Sequence, residues 1–183
     1  MSTIENKNAA LWELDPSHSS ANFSIRHMML AKVQGNFTKL AGQLKLDSSN
    51  SANSSIEATI ETASIDTREA KRDEHLRSAD FFDVERFPTI TFKSKRVRLG
   101  ASKSEVVGDL TIHGVTKEVT LEVEGLDTEV KDPWGNIKIG GSATTKIKRK
   151  DFGLIWNAAL EAGGVLVGDD VAISLEVQFV KKA

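Results

Sequence analysis

The run Val106-Val107-Gly108-Asp109-Leu110-Thr111-Ile112-His113-Gly114-Val115-Thr116-Lys117-Glu118-Val119-Thr120-Leu121-Glu122-Val123-Glu124-Gly125 decides the reading of the fold. Its second half alternates strictly. Val119, Leu121 and Val123 fall on one side, and Glu118, Thr120, Glu122 and Glu124 on the other. A period of two with one wet face and one dry face is the pattern of an antiparallel strand. The first half, Val106 to Ile112, is a second strand. His113-Gly114 between them reads as a tight hairpin turn. The same alternation extends outward in both directions. Ile56, Ala58 and Ile60 alternate with Glu57, Thr59 and Glu61, and Ile90 and Phe92 with Thr89, Thr91 and Lys93. Ala21, Phe23 and Ile25 belong to the same class, as does 37–46, where Gly42 suggests a bulge or bend. Ile137, Ile139, Gly141, Ala143, Thr145 and Ile147 form one face of a long segment, and Val171, Ile173, Leu175, Val177 and Phe179 one face of another.

This amounts to about eight strands of substantial length. Such a sheet leaves two open edges unless it closes, so a barrel is the economical solution and a two-sheet sandwich the runner-up. Helix is scarce. Asp66-Thr67-Arg68-Glu69 resembles a capping box and predicts a helix over 67–77 with Asp66 as N-cap. Residues 155–162 suit a short helix closed by Gly163-Gly164. The Ser- and Asn-rich stretch 47–55 predicts an exposed loop, and Asp132-Pro133-Trp134-Gly135-Asn136 another turn. No repeat or linker divides the chain. Residues 1–10 read as a flexible arm and 11–183 as one domain.

The 183 residues carry a formal net charge of −2. A protein built to hold nucleic acid backbones is normally basic, so no nucleic acid partner is expected. The absence of cysteine removes disulfides, thiolate catalysis and Cys-ligated metal. No run reaches the ~20 apolar residues of a membrane-spanning helix. The first residues show no basic segment leading into an apolar one, so the expectation is a cytoplasmic protein.

The four histidines, His18, His27, His75 and His113, show no HxH, HxxxH or HExxH spacing, and no metal site or cofactor is expected. A Ser-His-Asp set can be assembled from His18, Asp66 and a serine, but no placed nucleophile accompanies it. Asp80 and Asp83 flank Phe81-Phe82 and suit turns and caps. The glycine pairs 140–141 and 163–164 match no phosphate-binding loop. The basic run 146–150 fits a wet strand face. Met28-Met29-Leu30 is a greasy lip at a barrel mouth if exposed, and ordinary core if buried.

An eight-stranded barrel either fills itself with side chains or holds one small ligand. Many inward positions here are small: Ala21, Ala58, Gly141, Ala143 and Thr145. They leave room for a thin apolar tube, and a normally packed interior is the alternative.

The order of motifs resembles the YceI-like family, the polyisoprenoid-binding proteins with a lipocalin-like barrel. Trp12-Glu13-Leu14-Asp15-Pro16-Ser17-His18-Ser19 is similar to that family's opening. Phe23-Ser24-Ile25-Arg26-His27 and Val33-Gln34-Gly35-Asn36-Phe37 continue it. Ser64-Ile65-Asp66-Thr67 leads into the block 72–83, and Phe87-Pro88, 108–117 and Lys150-Asp151-Phe152-Gly153 complete it. The resemblance runs from Trp12 to about Val180. It implies an all-β, extended eight-stranded antiparallel barrel with one or two short helices and a long apolar pocket. It implies a bound polyisoprenoid or similar amphiphilic lipid, such as a polyprenyl quinone precursor or a fatty amide, held for sequestration or transport. It also implies proteins that are often homodimers and are not established enzymes. Many members begin with a signal peptide for the periplasm, from which this chain departs.

Alternation then places Phe23, Ile25, Phe37, Ile60, Ile90, Phe92, Leu110, Ile112, Leu121, Ile139, Ala143 and Phe179 in the pocket lining. The rival readings are an enzyme on a lipid-like substrate, with His75, Asp66 or Asp80 as acid or base, and a filled barrel serving as a stress-response interaction module.

Overall fold

A computed structural model describes residues 8–161 and 163–183. The strands are β1 (Ala9–Leu14), β2 (Ser20–His27), β3 (Ala31–Phe37), β4 (Leu40–Asp47), β5 (Ser55–Glu61), β6 (Ile65–Asp66), β7 (Thr89–Arg98), β8 (Ser104–Ile112), β9 (Val115–Gly125), β10 (Val130–Lys131), β11 (Ile137–Lys148) and β12 (Val167–Lys181). The one α-helix among the described residues is α1 (Ala70–Arg77). All pairings are antiparallel, and β11 pairs with β12 to close the sheet into a barrel. Closure removes the open edges that a flat sheet of this length would leave.

The ring has eight members because short strands lie end to end. β1 and β2 follow one another along β12, β4 and β3 pair with them, and β5 and β6 pair with β4 and β3. β7, β8, β9, β11 and β12 complete the circuit, with β10 a short extension on β11.

Two 3₁₀ turns account for the breaks. Pro16, which has no N–H for the ladder, starts the turn Pro16–His18, capped by Asp15 through the Ser17 N–H at 3.0 Å. The turn Thr62–Ser64 places the Ser64 hydroxyl where it accepts from Lys39 N–H at 3.1 Å. The break predicted at Gly42 therefore falls at residues 38 and 39. Gly42 itself is in regular register with Ala58.

The hairpin turn at His113-Gly114 is as expected, with both residues at positive φ (54° and 73°). Ala9 and Ala10 pair with Asp47 and Leu46, so the last two residues assigned to the arm belong to the barrel. Backbone pairing needs no apolar side chain, which is why the pattern did not show it. Residues 1–7 of that arm lie outside the described residues.

The helix starts at Ala70, three residues later than predicted. Its cap is Glu69, whose carboxylate accepts from Lys71 and Arg72 N–H. Asp66 instead closes a turn with Arg68 N–H at 2.8 Å. Thr67 is drawn inward by buried Asp73, which accepts from its N–H at 2.9 Å. Residues 155–161 form no helix, and Ala159 bridges Val165 instead; residue 162 of that expected helix lies outside the described residues. The loop 47–55 is exposed at residues 48–50, 52 and 53, as expected, and is anchored at its ends, where Asp47 and Ser54 are buried and Asp47 N–H donates to Ser54 Oγ at 2.9 Å.

Two apolar clusters divide the interior. Trp12, Leu14, Leu44, Val97, Val106 and Phe179 are among those packing together at one end, the end of the β7–β8 hairpin. Phe37, Ile65, Ile90, Ile112, Ile147 and Phe152 gather toward the other end, where α1 and the segment 149–166 lie.

Candidate functional site

The barrel is hollow between these clusters. On β9 and β12 the inward side chains Val119, Leu121, Val171, Ile173 and Leu175 are only half-buried, whereas Val123 and Phe179 at the closed end are buried. An inward-facing residue that keeps accessible surface must border empty space. That space is an apolar cavity of about 510 Å³. The volume lies within the ~300–1,000 Å³ usual for ligand pockets.

The small residues make it possible. Ala21, Ala58, Gly141, Ala143 and Thr145 all line the cavity, where larger side chains would fill it. The cavity wall also contains each pocket residue expected from alternation except one: Phe23, Ile25, Phe37, Ile60, Ile90, Phe92, Leu110, Ile112, Leu121, Ala143 and Phe179. Ile139 points inward as predicted but is buried in the closed-end cluster, in register with Phe179, below the tube.

The open end is aromatic and polar. Phe23 and Phe37 lie 5.6 Å apart, and Phe82 meets Phe37 edge-on at 5.9 Å. His75, Phe81 and Trp156 form a second group, with centroid distances of 5.1, 4.8 and 5.2 Å. Thr67, Lys71 and Arg72 bring polar groups to the same end of the cavity. Sequence reasoning missed Trp156 because it sits in irregular chain with no period to read.

It also misjudged Arg149. That residue is 3% exposed rather than on a wet strand face, because the 3₁₀ turn Arg149–Phe152 swings it inward. Its Nε donates to Gly168 C=O at 2.7 Å, and one Nη to Leu154 and Trp156 C=O at 2.6 and 2.8 Å. Burial lowers its pKa, and Asp169 at 3.7 Å opposes that shift. The segment carrying Trp156 thus hangs from a buried guanidinium whose donors are satisfied by carbonyls.

The histidines separate into four settings. His75 Nε2 lies 2.8 Å from Asp80 at the mouth. Asp66 is not part of that pair. His18 contacts Asp15 at 2.8 Å and Ser17 at 3.1 Å on the outside, whereas Asp66 is engaged by Arg68 N–H. Hydrogen bonds from Ser17 and His18 hold the Asp15 carboxyl well below the usual carboxylate range, with Lys138 assisting. The His113 ring meets that of Phe87 at a tilt of 59°, with 4.6 Å between centroids. His27 ends β2 beside the exposed residues Met28, Met29 and Leu30. No helix among the described residues is long and apolar enough to cross a membrane.

A barrel with this cavity and this motif order can be set against known proteins. The family model for the YceI-like domain matches residues 12–179. The chain belongs to the YceI-like family. A UPF0312 protein of Staphylococcus aureus strain MSSA476 is 40% identical over 166 residues, covering 90% of this chain and 94% of that protein. The crystal structure of Burkholderia cenocepacia BcnA aligns with a TM-score of 0.74 at 26% identity, over 90% of this chain and 98% of that one. A polyisoprenoid binding domain from Saccharophagus degradans, implicated in plant cell wall breakdown, aligns at 0.65 and 16% identity, over 95% and 99% of the two chains, and shares the fold. The YceI-like barrel of this chain therefore has the closed antiparallel architecture expected from its sequence, and the sandwich is set aside.

Proposed function

We propose that this YceI-like protein binds one long-chain polyisoprenoid or similar amphiphilic lipid, non-covalently, with the tail in the barrel and the head at the mouth. The observation that carries the reading is the half-burial of inward apolar side chains around a cavity of about 510 Å³. Water in such a space finds few polar partners, whereas a hydrocarbon chain fills it well. Each methylene removed from water contributes ~0.8 kcal/mol before ordering costs are subtracted.

Selectivity for the tail would come from the tube's length, which the cluster around Trp12, Ile139 and Phe179 limits at the closed end. Selectivity for the head would come from Thr67, Lys71, Arg72 and His75. The Saccharophagus degradans domain supports the reading to the extent that the same fold is the one described there as binding a polyisoprenoid. A filled barrel would lack the cavity, and the proposed binding requires no chemical step.

Native mass spectrometry of the purified protein, with organic extraction of whatever accompanies it, is the test. A stoichiometric lipid adduct, or uptake of an added polyprenyl lipid, is the expected result. An apo mass that stays unchanged when polyprenyl lipids and fatty amides are supplied overturns the proposal.

A further inference from the structure

The tip of the β2–β3 hairpin breaks the usual chemistry of a tight turn. Leu30 N–H donates to His27 C=O at 3.1 Å, and the two residues between them, Met28 and Met29, both have positive φ (53° and 60°). Such positions favour Asn, Asp or Gly, because a bulky side chain there is strained. Here Met28, Met29 and Leu30 are instead 42%, 62% and 78% exposed. Backbone strain and exposed apolar surface coincide at one place, a combination that stability alone does not favour.

The tip stands at the mouth of the cavity. β3 pairs with β6 only at Asn36 and Phe37, so the hairpin projects past that strand. Its inner residues Ile25 and Val33 line the cavity, as do Leu166 and Val167. Met28 N–H donates to Leu166 C=O at 2.8 Å, and the Met29 thioether lies over Gly164, where a side-chain carbon would have no room. Exposed Val165 adjoins this contact. The lip is therefore continuous with the apolar interior.

Charge supplies the direction. Behind the tip, Arg26 and Lys32 are paired directly across the hairpin, and both are exposed. Among the described residues neither forms an ion pair with an acid. Two cations in register oppose each other in a sheet. On the adjoining strand, Asp169 is engaged by Lys150 at 3.3 Å and by Arg149, and Asp170 is in register with Lys148. Charge on an exposed edge also guards against edge pairing, but a guard does not explain the greasy tip beside it. Apolar side chains in front and free cations behind match the acyl boundary and the phosphates of an anionic membrane.

We propose that the hairpin tip docks on an anionic lipid bilayer. Met28, Met29 and Leu30 enter the headgroup boundary, Arg26 and Lys32 meet lipid phosphates, and the cavity mouth faces the membrane. This extends the lipid-binding reading and is measured separately from it.

The test is co-sedimentation of the full chain with vesicles of phosphatidylcholine, with and without phosphatidylglycerol. Binding to the phosphatidylglycerol vesicles is expected, weakening as salt is raised. Neutralising the cations with Arg26→Gln and Lys32→Gln weakens it about fivefold per charge. Met28→Asn with Met29→Gly weakens it about tenfold or more. The same pair leaves Tm unchanged or raises it, since Asn-Gly suits the turn. Because the chain has no cysteine, Leu30→Cys can carry a single environment-sensitive dye that reports entry into the bilayer.

Failure of the unaltered chain to bind phosphatidylglycerol vesicles overturns the proposal, as does full binding by the Asn-Gly variant. If the tip instead holds a second copy of the chain, ultracentrifugation shows a dimer that the Asn-Gly variant dissociates, and this also overturns it. Cargo is read by mass spectrometry in the same samples. Lost docking with cargo intact refutes docking alone, and intact docking with an empty, unloadable barrel refutes the lipid-binding reading alone.

Discussion

The Arg149 guanidinium donates to the Trp156 carbonyl at 2.8 Å, so one wall of the cavity mouth is tied to the barrel by a buried cation. The same group reaches Leu154 on that segment and Gly168 on β12. Removing it with Arg149→Met leaves those carbonyls without their donor. A loss of about 3 kcal/mol is expected, within the range for hydrogen bonds to a charged group. Arg149→Lys keeps the charge but not the fork, and should fall between. Urea unfolding of the three proteins checks the order, and lipid retention should drop with it because the wall carrying Trp156 loosens.

Ala58 faces the cavity opposite Gly42 and is half-buried there. Ala58→Phe places a ring in the tube. A filled interior would be overpacked by such a change, at a cost of about 1–3 kcal/mol. In a hollow barrel the ring occupies free space instead. The expected outcome is a Tm near that of the unaltered protein together with strongly reduced lipid uptake, measured by thermal melting and native mass spectrometry on the same preparation.

Asp15 sets an acid limit on stability. Its pKa is depressed in the folded protein, chiefly by the Ser17 hydroxyl and then by His18, with Lys138 contributing. A depressed carboxylate stabilises the fold fully above its unfolded pKa of about 4 and loses that contribution as pH falls toward the folded value. Stability should therefore decline below about pH 4 in part through Asp15. In Asp15→Asn that part of the decline disappears, and neutral-pH stability is lower. Tm measured across the acid range for both proteins tests the sign.

Gly114 closes the β8–β9 hairpin at φ 73°, and a methyl group there would meet the Phe87 ring. Gly114→Ala combines left-handed strain with a clash. It should destabilise by about 1–3 kcal/mol. Gly135, also at positive φ, has open space around it. Gly135→Ala should cost only the backbone share, and chemical denaturation of the two variants separates strain from contact.

The barrel was legible because alternation is a local signal repeated along the chain. Val119-Thr120-Leu121-Glu122-Val123 shows its dry face without help from distant residues, and the lining positions from Phe23 to Phe179, Ile139 apart, follow by counting. Counting failed where a turn interrupts the period. Arg149 reads as the outward member of a basic strand until the 3₁₀ turn rotates it inward. Trp156 lies in irregular chain, and its position depends on the carbonyl that Arg149 holds. Glu69 displaces Asp66 as helix cap because buried Asp73 has already drawn Thr67 into another hydrogen-bond pattern.

By itself, the amino-acid sequence determined the antiparallel strands, most of the inward faces and the presence of small residues along them, since each depends on the residue type and its neighbours two positions away. Only the tertiary structure decided whether those small residues leave a tube or interdigitate with larger ones across the barrel. It also decided where the tube stops, with Ile139 below its floor, and that Met28, Met29 and Leu30 stand exposed at its mouth. These are properties of distances between strands far apart in the chain, fixed when β11 meets β12 and the sheet closes.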